Sequence, residues 1–92
     1  MPSYADTETT FDELKARLAK TIDFVQSISP EAFEGSEDRQ ITLKMRVELT
    51  FSGRDYAFGF VLPNFYFHAA TAYDILRHAG VELSKMDFMG VR

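Results

Sequence analysis

Apolar residues recur along this chain with two different periods, and the change of period divides it into elements. Phe11, Leu14, Leu18, Ile22, Val25 and Ile28 follow one another at three- and four-residue steps, with Lys15, Arg17, Lys20 and Asp23 off that stripe. This is the pattern of a helix with one buried side. Thr10 followed by Glu13 reads as a capping box, so the spacing predicts a helix over residues 10–28, about 27 Å long at ~1.5 Å per residue. Ser29-Pro30-Glu31 stops it and caps one further turn through Phe33, after which Gly35 to Arg39 forms a charged loop. Residues 1–9 are polar and aperiodic, an arm whose only large apolar group is Tyr4.

From Gln40 the period drops to two. Ile41, Leu43 and Met45 alternate with Thr42, Lys44 and Arg46, then Val47, Leu49 and Phe51 alternate with Glu48 and Thr50. A β-hairpin over residues 40–51 fits best; with no Asn-Gly or Asp-Gly to mark its turn, a position near Lys44 to Val47 and a single bent strand both remain open. Ser52 and Asp55 have the capping offset and open a second helix. Pro63 removes a backbone donor and kinks or restarts it, and Phe65, Ala69, Ala72 and Leu76 continue as its inner stripe to a C-terminal cap at Gly80. That helix spans residues 53–79. Residues 81–92 are a short tail with a turn starting at Ser84, and Val81, Leu83, Phe88 and Met89 are expected to lie back on the helices.

The predicted fold class is therefore mainly α: two long helices joined by a short β-hairpin in one domain of 92 residues. Composition adds a difficulty. The chain carries 9 Phe and 4 Tyr, many of them within residues 56–73, more rings than one helix face buries in a monomer. Two amphipathic helices and a hairpin do not close a core, so either a second copy supplies the missing half by two-fold symmetry or the chain is a fragment of a longer domain.

Charge excludes one class of partner. The net charge is -4 and the 10 Lys and Arg are scattered, whereas phosphate backbones are bound by a clustered basic face, so no nucleic acid is expected. With 0 Cys there is no thiolate metal site, disulfide or Cys nucleophile. The first ten residues lack a signal-peptide pattern, no apolar run approaches the ~20 residues that span a bilayer, and a cytoplasmic protein without membrane contact is expected.

The order helix, strand pair, Ser-Gly-Arg-Asp-Tyr, Leu-Pro-Asn-Phe-Tyr-Phe-His and Ala-Tyr-Asp-Ile-Leu-Arg-His-Ala-Gly-Val-Glu-Leu resembles an uncharacterised bacterial branch, a domain of unknown function, of the DinB-like superfamily of four-helix bundles. The resemblance covers nearly the whole chain but only the C-terminal half of a typical family domain. It implies half of a DinB-like four-helix bundle, whose completion by dimerisation is the expectation drawn from the uncovered helices above. It also implies a metal-site helix, on which aligning Leu76, Arg77 and Gly80 places the family's two helix histidines at Asn64 and His68. A third histidine would come from an earlier helix that has no counterpart here.

Asn64 and His68 share a helix face, as four-residue spacing requires. One imidazole and one carboxamide nevertheless fall short of the three protein ligands of a catalytic zinc site, and His78 sits roughly 80° off that face. The expected cofactor is none, with zinc or nickel as the alternative, and the simpler reading of His68 is a partly buried, hydrogen-bonded histidine of the helical core. Phe65, Ala72 and Tyr73 could line an apolar pocket for an unknown small molecule, although core and dimer packing explains the same rings more simply. Arg54 with Asp55 could hold an anion at a helix start, but capping by Ser52 explains that segment without a ligand. The expectation is a structural or interaction module without catalysis, working as a homodimer. The alternative is a metal-dependent or small-molecule-binding enzyme of the thiol-transferase type that the superfamily suggests, using His68.

Overall fold

Thr10 starts the first helix by accepting a hydrogen bond from the Glu13 backbone N–H at 3.2 Å. The other half of the expected capping box is displaced by one residue, since the Glu13 carboxylate accepts from the Thr9 N–H rather than from Thr10. In the computed structural model, described here for residues 2–91, this helix is α1 (Phe11–Ser27). A 3-10 turn over Pro30–Phe33 follows. With the arm before it, α1 forms one of two compact units, which ends at Glu34.

Within that unit the arm lies along α1 and is not a free tail. Arg17 donates to Asp6 at 2.6 Å and to Glu8 at 3.0 Å, Lys20 donates to the Ser3 carbonyl at 2.8 Å, and the Tyr4 hydroxyl meets that of Thr21 at 2.6 Å. Both cations also lie over the Tyr4 ring, 4.4 and 4.5 Å from its centroid. Hydrogen bonding to Asp6, supported by Glu8, raises the Arg17 guanidinium further above its ordinary, already strongly basic range. A group raised in this way keeps its contribution below its ordinary pKa and loses it only as pH rises through the higher folded value, so titration of Arg17 leaves the arm fastened at neutral pH.

The second unit begins at Gly35. After a 3-10 turn at Ser36–Asp38, β1 (Gln40–Lys44) and β2 (Glu48–Ser52) pair antiparallel, Ile41 opposite Phe51, Leu43 opposite Leu49 and Lys44 opposite Glu48. The hairpin alternative is the one adopted, with Met45, Arg46 and Val47 as its loop. This register puts Ile41, Leu43, Leu49 and Phe51 half-buried on one face and leaves Thr42 and Thr50 exposed on the other.

Ser52 then caps α2 (Gly53–Asp55), accepting from the Asp55 N–H at 3.1 Å. Gly53 fits where no other residue does: a Cβ there would lie 1.7 Å from the Ser36 carbonyl oxygen. The helix does not continue in α register as expected. Tyr56–Val61 is π-helical, and the Leu62 N–H reaches back five residues to Ala57. The change of register occurs next to Pro63, which has no N–H to give. α3 (Leu62–His78) restores the α pattern. Gly80, at φ 99, closes it, with Gly80 N–H bonded to Arg77 and Val81 N–H to Leu76, a Schellman arrangement. The tail contains α4 (Lys85–Met89), started by a capping box between Ser84 and Asp87.

Packing inside this unit is aromatic. Phe51, Tyr56 and Phe60 form a trio with ring centroids 5.7–6.0 Å apart, and Phe88 meets Tyr73 edge-on at 5.1 Å. Of the tail residues expected to lie back, Phe88 and Leu83 are half-buried while Val81 and Met89 remain exposed. Among the described residues none is fully buried. Within its own unit each long helix leaves its stripe uncovered: Phe11 is 83% exposed and Leu18 61% in the first, and Phe65, expected as an inner residue, 62% in the second. No described helix is long and apolar enough to cross a membrane.

Candidate functional site

α3 carries the residues singled out for chemistry. Asn64 and His68 lie one turn apart, about 40° around the helix axis from each other, and both are exposed. The only ring pairing of His68 among the described residues is edge-on to Phe67, at 5.7 Å. Among the described residues no hydrogen bond joins the His68 ring to the Asn64 carboxamide or to any other side chain, so Asn64 is not its hydrogen-bond partner in this structure. His78 and Arg77 occupy the last turn of α3, where positive charge is favoured by the carbonyl ends of the helix.

The donors of the described residues of one chain do not by themselves make up a metal's ligand set. Among the described residues no three His, Cys, Asp or Glu side chains are gathered to hold an ion. An imidazole and an amide oxygen at Asn64 and His68 leave a zinc or nickel ion short of protein ligands.

The residues named for an apolar pocket are divided by the fold. Tyr73 lines a groove of about 160 Å³ between α3 and α4, opposite Phe88, with Asp74, Arg77 and Lys85 at its rim. Ser84 shapes that groove, because its capping box sets the direction of α4. Phe65 belongs to the exposed stripe and pairs edge-on with Tyr66 at 5.5 Å, and Ala72 is exposed on the same stripe. A wider depression of about 530 Å³ borders the first turn of α2, between Glu37 and Asp38 on one side and Arg54 and Phe58 on the other. The Ser52 hydroxyl caps the N-terminus there, accepting from the Asp55 N–H.

Sequence reasoning missed the Phe88–Tyr73 groove and the fastening of the arm. The capping box at Ser84 was the available signal for the first. For the second there was only one aromatic residue preceding a helix with basic residues three apart.

A family described as a domain of unknown function, DUF1993, matches residues 1–89. The chain belongs to this family. It is also similar to a solved structure, the crystal structure of a DinB family member protein from Shewanella denitrificans at 1.83 Å resolution, with 36% identity and a TM-score of 0.88. That likeness covers 99% of this chain and 51% of the Shewanella chain. The DUF1993 chain thus spans about half the length of the solved structure it matches. No curated protein matches it.

Proposed function

We propose that this DUF1993 chain is a structural or interaction module without catalysis of its own: the C-terminal half of a DinB-like four-helix bundle, completed by a second copy in the bacterial cytoplasm. The observation that carries this reading is the uncovered apolar stripe on each long helix. The similarity of the whole chain to half of a longer DinB family structure supports the idea that its fold ordinarily has a complement. Light scattering at micromolar concentration is the test. A dimer is expected, and a monomer with one cooperative unfolding transition overturns the reading.

The rival is a metal-dependent or small-molecule-binding enzyme of the thiol-transferase type, and the observation that favours it is the accessibility of His68 beside Asn64 on α3. On the module reading, protein incubated with zinc or nickel and desalted retains well under one equivalent. Asn64→His then raises affinity by at least about tenfold, an increment of ~1.4 kcal/mol. Stoichiometric retention by the unaltered chain would favour the enzyme.

A further inference from the structure

α3 turns a second face toward α4, separate from its apolar stripe. Ala70, Tyr73, Asp74 and Arg77 follow at three- and four-residue steps, which lines them up along one side of the helix. The centre of that side lies about 120° around the axis from that of Phe65, Ala69, Ala72 and Leu76. Lys85 and Phe88 stand across from it, and all of these residues belong to the unit that begins at Gly35. Tyr73 and Phe88 are half-buried and give the groove two ring walls, with centroids 5.1 Å apart.

Size and charge together select what such a groove takes. An apolar cavity of about 150 Å³ accommodates benzene, so about 160 Å³ has room for one ring and not for a segment of protein. Of the three charged groups at the rim two are positive, on a chain whose net charge is -4. Exposed cations on a helix surface need no partner, but here one from each of two helices borders the same apolar slot. Among the described residues the ion pairs all involve Arg17, so Asp74 neutralises neither Arg77 nor Lys85. A carboxylate supplies the single negative charge that balances this rim, and its two oxygens match the planar fork of a guanidinium. Asp74 opposes a second negative charge, such as that of a phosphate monoester.

We propose that the groove between α3 and α4 is a binding site for a small aromatic carboxylate, its ring against Tyr73 and Phe88 and its carboxylate held by Arg77 and Lys85. Rings favour offset and edge-on contacts with walls of this kind. The site involves no chemistry at Asn64 or His68, whose side of α3 lies about 150° away, and it stands apart from the module reading. Because each helix contributes one cation, the ligand also ties α4 to α3.

Titration of the whole chain with benzoate, at constant ionic strength and followed in amide NMR spectra, is the test. Saturable shifts are expected in residues 70–77 and 84–88, with a Kd on the order of 1 mM for a ligand of so few atoms, together with slower amide exchange in residues 85–89. Benzamide, which keeps the ring and lacks the charge, should bind at least fivefold more weakly, and so should phenyl phosphate. The joint change Arg77→Gln with Lys85→Gln should weaken benzoate at least fivefold and leave benzamide within twofold. Ala70→Leu, at an exposed position where leucine suits a helix, fills the groove and should abolish binding of both with helicity unchanged. No saturable shift at tens of millimolar benzoate overturns the proposal, as does saturation that maps elsewhere on the chain. Equal binding of benzamide, tighter binding of phenyl phosphate, or benzoate binding that survives Ala70→Leu overturns it as well. A monomer in light scattering would overturn the module reading and leave these expectations in place.

Discussion

The arm with α1 and the hairpin with α2 to α4 are held by different forces. In the first, polar contacts fasten the arm: Arg17 between Asp6 and Glu8, Lys20 on the Ser3 carbonyl, and two cations over Tyr4. In the second, rings and tight backbone seating dominate, through Phe51, Tyr56 and Phe60 and through Gly53 against Ser36. Exposed ion pairs contribute little net free energy because water and salt compete for the same charges. Apolar contacts between rings gain from leaving water. The contrast teaches that fastening an arm and building a core are separate achievements, and that neither unit has spent its main apolar stripe on itself.

The sharpest way to break this contrast lies at Gly53. Replacing it with alanine drives a methyl group into the Ser36 carbonyl, and urea unfolding should show a loss of about 3 kcal/mol; an unchanged midpoint would mean that the 36–38 turn yields freely. Phe51→Ala comes next. The ring is only half-buried, so its loss should cost about 2–3 kcal/mol, below the ~3–5 kcal/mol of a fully buried phenylalanine. A smaller effect is expected in the first unit, where Thr10→Ala removes one cap at about 1 kcal/mol in a thermal melt.

Smaller still is the joint change Asp6→Asn with Glu8→Gln, which keeps shape and removes both charges facing Arg17. Its melting temperature should match the parent within error while amide exchange in residues 3–8 quickens, and added salt should produce the same quickening in the unaltered chain. A large fall in melting temperature would show that the arm stabilises α1 as strongly as the rings stabilise the hairpin unit. Last, His68→Ala should shift stability by no more than about 0.5 kcal/mol, as for other exposed positions. A larger loss would point to a partner group on His68 in the assembled protein.

Much of the secondary structure was legible because it repeats locally. The three- and four-residue steps from Phe11 to Val25 report α1, the alternation from Ile41 to Phe51 reports the strand pair, and Ser52, Gly80 and Ser84 carry caps whose bonding partners lie within a few residues. The turn was less legible, since Met45-Arg46-Val47 has no turn-forming residue and the register alone places it. The π-helical stretch was hidden as well: Pro63 announces a missing donor, but not that the backbone upstream would widen to five-residue bonds. The candidate site was legible only as a spacing. Asn64 and His68 share a face by arithmetic, yet whether that face is covered is no property of the helix that carries them.

The sequence by itself determined the elements and their amphipathic sides, because period, caps and breakers act over a few residues. Tertiary structure decided which sides were used. It set Tyr4 under Arg17 and Lys20, seated Gly53 on Ser36, paired Tyr73 with Phe88 and left Phe65 and His68 in the open. Each of those outcomes depends on surfaces brought together from distant positions, whose energies of contact and desolvation no local pattern records.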